Sequence, residues 1–222
     1  MPVKLYKMDI SPPARAAVMG CHIFNVDTNM VEVNLLNKEH LDPEFKKINP
    51  LHTVPTLEDG DLVLHDSHAI LIYLAEVYGK DDSWYPKDVK KRALVNQKLF
   101  FDTSILFPRL RNITYSVVMG GETTLQLKLL AEIEESYGFM ETFLCKTKYI
   151  AGDNITIADV SVISNVSFMI RIVPLDKQIY PKTTAWVEEM ESQSYCQKFN
   201  APGSVALVTL LKERLEENKK SK

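Results

Sequence analysis

The chain has 222 residues, enough for one large domain or two small ones with cores of ordinary density. Apolar residues make up 45% and charged ones 25%, near the average of soluble globular proteins, which argues against both a disordered chain and a membrane protein. The formal net charge of -3 leaves no basic surplus to neutralise phosphates, so nucleic acid is not expected as a partner.

Val3 to Met8 reads as a strand. A helix follows Ser11-Pro12-Pro13, because serine caps helix starts and proline is tolerated in the first turn; Ala17, Val18, Cys21 and Phe24 fall on one face. Met30 to Leu35 alternates at period two as a second strand, and Pro43 to Ile48 is short, helical or irregular. Pro55-Thr56-Leu57, the turn pair Asp59-Gly60 and Leu62-Val63-Leu64 form a hairpin. Asp66-Ser67 opens a helix with Ala69, Ile70, Tyr73, Leu74 and Val77 at three-four spacing, and it ends at Gly79. The order βαβ, then ββα, makes residues 1-80 a small α/β domain.

Lys80 to Asp88 is polar, contains Pro86 and reads as a linker. Residues 89-222 read as an all-α domain, with helices over Lys91 to Met119, Thr123 to Leu144, Thr156 to Ile172, Lys182 to Gln193 and Ser204 to Glu217. Thr156-Ile157-Ala158-Asp159 has the capping-box form, and the uncharged face of Val160, Val162, Ile163 and Val166 places that helix at the centre. The end from Asn218 reads as solvated and frayed. Cys21, Cys145 and Cys196 form no CxxC pair, which argues against a disulfide framework, a zinc site or a dithiol motif and fits a reducing compartment. The N-terminus lacks the apolar core of a signal peptide, so a cytoplasmic protein with no membrane partner is expected.

Three segments carry chemistry. Ser11 sits at a helix start, where unpaired amides and the macrodipole favour negative charge, so it is either a plain N-cap or the donor to a bound thiolate. Proline at position 13 lacks an amide that a cap oxygen often accepts, which leaves Ser11 freer to donate outward. Val54, extended before Pro55, suits pairing with a peptide-like ligand; the alternative is an edge strand that Pro55 starts. Asp66 and Ser67 cap a helix; together with its first amides they also suit the ammonium and carboxylate of an amino-acid head group.

Ser11-Pro12-Pro13, Asn49 through Leu57, Asp66-Ser67-His68-Ala69-Ile70 and Thr156-Ile157-Ala158-Asp159 together resemble cytosolic glutathione transferases, closest to the insect epsilon class and next to the delta class. The resemblance covers the whole chain. It implies a thioredoxin-like domain with a cis-proline at Pro55, an all-helical second domain, glutathione as co-substrate and no metal. It further implies that Ser11 stabilises the thiolate and the Val54 backbone pairs with the cysteinyl unit. His40 and His52 match the glycine end, Asp66, Ser67 and His68 the γ-glutamyl end, and Pro13, Thr53 and Pro55 complete the glutathione site. The acidic position is commonly Glu in the wider family, and Asp66 is one methylene shorter.

Phe107, Arg111, Tyr115 and Met119 recur every fourth residue on one helix and read either as core or, by the resemblance, as an electrophile pocket shared with Phe199, Leu207 and Leu210. The activity implied is conjugation of glutathione to apolar electrophiles such as xenobiotics or lipid peroxidation products, with dehydrochlorination or peroxidase chemistry as side activities. The rival readings are a binding scaffold on the same fold and a thiol transferase; the latter prefers cysteine where Ser11 stands. A homodimer is expected, with His65, Ile72 and Tyr73 and the long helix bearing Phe100 and Phe101 as its apolar surplus.

Overall fold

Val3 and Leu5 are buried and Lys4 between them is exposed, the alternation of a strand packed on one side. In a computed structural model that describes residues 2–221, this strand, β1 (Val3–Lys7), is internal to a four-stranded sheet. It pairs in parallel with β2 (Thr28–Glu32) and antiparallel with β3 (Thr56–Asp59), and β3 pairs antiparallel with β4 (Leu62–His65), in the order β2-β1-β3-β4. The helix α1 (Pro12–Ile23) makes the crossover from β1 to β2, a short α2 (Pro43–Ile48) precedes β3, and α3 (Ser67–Tyr78) follows β4. α1 and α3 approach so closely at Gly20 that a Cβ there would lie 2.7 Å from Leu71 Cδ2.

The second strand starts and stops earlier than its alternation predicts. β1 offers partners only as far as Lys7, whose carbonyl takes the Val33 amide. Beyond it the Asn34 side chain accepts from the amides of Leu36 and Asn37 and turns the chain away.

Among the described residues six α-helices follow: α4 (Val89–Phe101), α5 (Phe107–Val118), α6 (Leu127–Leu144), α7 (Ile157–Ile172), α8 (Pro181–Ser192) and α9 (Ala201–Lys220). The helix predicted over Lys91 to Met119 is broken. Pro108 has no amide for the regular i→i−4 bond, and the residues before it, Asp102–Leu106, widen into a π-type turn in which the Phe107 amide reaches the Asp102 carbonyl. Helix α6 begins at Leu127, later than predicted, whereas α9 begins at Ala201 and runs on to Lys220. The stretch expected to fray is helical through Lys220, and Asn218 Nδ2 donates to the carbonyls of Val117 and Glu122 at 3.0 and 2.8 Å, tying it to the end of α5; Lys222 lies outside the described residues.

Every residue of α7 from Ile157 to Met169 is buried, and α1, α3, α4, α5, α8 and α9 all pack against it. One apolar core therefore runs from Val3 and Leu5 of the sheet to Val208 and Leu211 of α9. The connecting segment is docked too: Trp84 packs edge-on against Phe24 and Tyr195, and its carbonyl takes the Ile157 amide at 3.1 Å.

The capping box of α7 is present. Fully buried Asp159 accepts from the amides of Ile150 and Thr156, from the Thr156 hydroxyl and from Trp186 Nε1, all between 2.8 and 3.1 Å. Removing an acceptor of four buried donors leaves each of them unpaired, so Asp159→Ala is expected to cost about 3–5 kcal/mol and to lower the melting temperature by roughly 10 °C. Differential scanning calorimetry on the purified variant checks this.

Candidate active site

The register of the sheet brings the sequence-predicted residues to one edge. Thr56 pairs with Tyr6, so continuing that antiparallel register sets Val54 opposite Met8, three residues before Ser11. Thr56 also pairs with His65, which sets Asp66 beside Pro55. Met8, Ala14, Val33, Phe45 and Val54 form a small buried cluster of their own beneath this edge.

Ser11 caps α1 with extended backbone angles, and its Oγ accepts from the Ala14 amide at 3.4 Å. That bond is long. Pro12 and Pro13 have no amides to offer, and among the described residues the hydroxyl donates to nothing, so its proton points to no protein acceptor.

The segment from Asn49 to Thr56 is organised by one buried side chain. Asn49 Nδ2 donates to the Thr53 carbonyl, the Thr53 hydroxyl and the Thr56 hydroxyl at 3.1, 3.2 and 2.9 Å, and its Oδ1 accepts from the Leu51 amide. The Val54–Pro55 peptide bond is cis, and His52 has a φ of 45°. Among the described residues the Val54 amide and carbonyl enter no hydrogen bond, although the residue is buried. An unpaired amide and carbonyl at the end of a strand form an open rung for a peptide-like ligand. Next to it the rings of His40 and His52 lie 6.0 Å apart. His40 Nδ1 is buried without a partner among the described residues; burial, then the neighbouring His52 and Lys46, hold its pKa below the ordinary value.

At the start of α3, Asp66 has a φ of 76°, which only a few residue types tolerate. Its Oδ1 accepts from the amides of His68 and Ala69 and lies 2.9 Å from His68 Nδ1, while among the described residues Oδ2 has no partner and the side chain is half exposed. His68 Nε2 continues to Asp102 Oδ2 at 3.0 Å. Asp102 is buried and also accepts from the Ser161 hydroxyl at 2.6 Å and from Asn165 Nδ2 at 2.8 Å, both on α7. Burial by itself lowers the His68 pKa, but hydrogen bonds and charge from Asp102 and Asp66 outweigh it and push the value up to about 9. For Asp66 burial raises the pKa, and the bonds from His68 and Ala69 and the His68 charge overcome it, so the carboxyl titrates below its usual range.

One edge of the sheet thus carries an open rung beside a cis-proline, a helix-capping serine with a free proton and an acid-led helix start. The model of the glutathione S-transferase N-terminal domain matches residues 5–82, and that of the C-terminal domain matches residues 94–194. The chain belongs to the glutathione S-transferase family. Glutathione S-transferase 1 of Manduca sexta is 44% identical over 217 residues, covering 97% of this chain and all of that one. An epsilon-class glutathione S-transferase from the housefly Musca domestica superposes with a TM-score of 0.93 at 42% identity, over 96% of this chain and 98% of that one. A glutathione transferase homologue from Drosophila mojavensis, solved with bound glutathione, gives 0.92 at 40% identity over 96% and 97%. Conjugation of glutathione to electrophiles is the general reaction of the family, and this chain is a transferase of that kind.

The electrophile-side residues divide. Arg111, Tyr115 and Met119 of the transferase are exposed and Phe107 is half-buried, while Leu110, Ile113 and Val117 form the core face of α5. The stripe is therefore not core, and the Arg111 guanidinium lies over the Tyr115 ring at 4.9 Å. Leu207 is buried in the main core and Leu210 half-buried against it. Phe199 is elsewhere. Its ring packs on His22 at 5.0 Å, at the C-terminal end of α1, roughly 16 Å along that helix from Ser11, where it lines a 160 Å³ cavity with Cys21 and Val26. The sequence reading missed Asp102, Ser161 and Asn165, and it quoted Asn49 without a role.

The raised pKa of His68 makes a pH prediction. A histidine whose folded pKa exceeds its ordinary 6.5 adds stability that is complete below pH 6.5 and is lost as pH rises through about 9. The loss is on the order of 3 kcal/mol. Urea unfolding midpoints of the parent are expected to fall across that window, and His68→Gln to flatten the dependence.

Proposed function

We propose that glutathione lies along the edge formed by the ends of β1, β3 and β4, its cysteinyl unit paired with the free Val54 amide and carbonyl beside Pro55. Ser11 donates its proton to the thiolate, with Pro13 closing the first turn of α1 beside it. Ser67 and the first amides of α3 receive the γ-glutamyl carboxylate, the free Oδ2 of Asp66 receives the ammonium, and His68 holds Asp66 in place from behind. His40, His52 and Thr53 flank the glycine end. His40 Nδ1 supports this, since a buried nitrogen without a partner suits a ligand carboxylate. The electrophile rests on the exposed stripe of Phe107, Arg111, Tyr115 and Met119.

The observation that carries this reading is the Ser11 hydroxyl, held at a helix N-terminus by a single stretched bond with its own proton uncommitted. Free thiols titrate near pH 8.5, so roughly 3% is ionised at pH 7; lowering the pKa by about two units, about 2.7 kcal/mol, makes the thiolate dominant. Ser11→Ala is expected to leave glutathione affinity within a few fold, to raise the pKa of the bound thiol by about a unit and to slow conjugation by roughly one to three orders of magnitude. The ultraviolet thiolate band of the complex, titrated with pH, and turnover with a halogenated aromatic measure both; no change in either makes Ser11 a cap alone.

The enzyme works in this reading as a homodimer in the cytoplasm, where its three unpaired cysteines remain reduced. Phe101 is not part of the surplus, since it packs edge-on against Phe139 and Phe143. Phe100 is 67% exposed, and Val63 and Val77 are exposed as well. A two-fold contact covers such groups. Light scattering of the parent is expected at twice the 25.3 kDa chain mass, with Phe100→Glu shifted toward the monomer at micromolar concentration.

A further inference from the structure

Arg15 is 1% exposed, yet none of its hydrogen bonds goes to a carboxylate. Nε donates to Asn200 Oδ1 at 2.8 Å, Nη1 to the carbonyls of Asp9 and Ile10 at 3.2 and 3.0 Å, and Nη2 to the Ser164 carbonyl at 2.8 Å. Burial drags its pKa down to about 9, and the charge of Arg171 adds to that while Asp9 opposes it. Taking a guanidinium out of water for neutral partners alone is expensive, so the fork is retained for what it joins. It joins three pieces of chain: the turn before Ser11, the helix α7, and the segment leading into α9.

The turn is the informative end. Met8 to Ser11 closes with the Ser11 amide on the Met8 carbonyl at 2.9 Å, and the two carbonyls between them, of Asp9 and Ile10, are the ones Arg15 holds. From the other side α9 presses on the same peptide. A Cβ on Gly203 would stand 2.1 Å from the Asp9 carbonyl oxygen and 2.7 Å from Arg15 Cδ, so no side chain fits between α9 and the turn. Asn200, the far partner of Arg15, is itself anchored to α7 through the Ser167 hydroxyl at 2.8 Å.

We propose that Arg15 is a positioning residue for Ser11: with Gly203 of α9 as the opposing wall, it fixes the Asp9–Ile10 peptides and thereby the place from which the Ser11 hydroxyl meets the glutathione sulfur. The inference rests on the thiolate-donor reading of Ser11. A hydroxyl donor is effective only within a few tenths of an ångström of its place, so a slackened turn weakens thiolate stabilisation while leaving the head-group contacts on α3 intact. The C-terminal helix is then part of the thiol site without touching the thiol.

The test uses the full chain with glutathione bound. Arg15→Lys keeps the charge and loses the fork; Gly203→Ala pushes on the turn from the α9 side. Each is expected to raise the pKa of the bound thiol by about 0.5 or more and to lower kcat about threefold or more, with the glutathione Kd within about twofold of the parent. Combined with Ser11→Ala, neither is expected to raise the thiol pKa further, because the route runs through that hydroxyl. A parental titration in Arg15→Lys beside a shifted one in Ser11→Ala overturns this inference alone, and so does a shift of equal size in the Ser11→Ala background. An unshifted Ser11→Ala overturns the donor reading and this inference with it. Should Arg15→Lys not fold, Gly203→Ala, checked by circular dichroism and melting, decides by the same criteria.

Discussion

A helix with no solvent-facing side must satisfy its polar groups from its neighbours, and that requirement on α7 organises the rest of the molecule. Asp159 takes the loop amide of Ile150 and the indole of Trp186 from α8; Ser161 and Asn165 take Asp102; the Ser164 carbonyl takes Arg15; the Ser167 hydroxyl takes Asn200. Every one of these bonds is buried, so each partner is held at a fixed place. Two of the partners reach the edge proposed for glutathione. Asp102 reaches it through His68 to Asp66, and Arg15 through the Asp9 and Ile10 carbonyls to Ser11. The helices after the sheet are therefore the rear support of the glutathione site proposed on the α/β half.

The site itself lies where regular pairing stops. The β1–β3 ladder ends at Tyr6 and Thr56, two residues short of Met8 and Val54, and α1 and α3 begin just beyond the strands they follow. Such ends leave amides and carbonyls unpaired, which elsewhere is a cost and here is recognition capacity. Buried Asn49 performs the complementary task. By taking both oxygens of Thr53 and the Thr56 hydroxyl it shapes the chain on either side of Val54 while leaving the Val54 peptide groups free.

How much of this was legible depended on whether the chemistry was local. Ser11, Asp66 and the Thr156–Asp159 box are cap residues whose meaning is contained within four positions, and the strands and helices beside them follow from period two and period three-four. Most of what failed was set by partners far away in sequence. The second strand is shorter because β1 ends, a fact about residues 3 to 7 and not about residues 28 to 35. The break after Phe101 had a local sign in Pro108, which the long apolar pattern overrode. Asp102 and Arg15 carry no local mark at all. A carboxylate or a guanidinium in a helix reads as surface, and their burial appears only once Ser161, Asn165, Ser164 and Asn200 arrive from 59 to 185 residues away.

The short acid at the proposed head-group position shows how such support changes the meaning of a substitution. A glutamate there reaches a ligand by its own length and keeps the rotamer freedom of an extra methylene. Asp66 does not depend on reach. Its backbone is held at positive φ, and one carboxylate oxygen is fixed by two α3 amides and by a histidine that is itself braced on buried Asp102. The second oxygen is thereby aimed outward with little freedom left to lose, so an ammonium that meets it avoids much of the ordering cost that a longer, looser side chain incurs. The same bracing ties the charge of the site to His68: a protonated ring donates to both Asp66 and Asp102, whereas a neutral one has a single proton for two carboxylates. In the proposed binding mode, recognition of the γ-glutamyl end is thereby coupled to the protonation of His68.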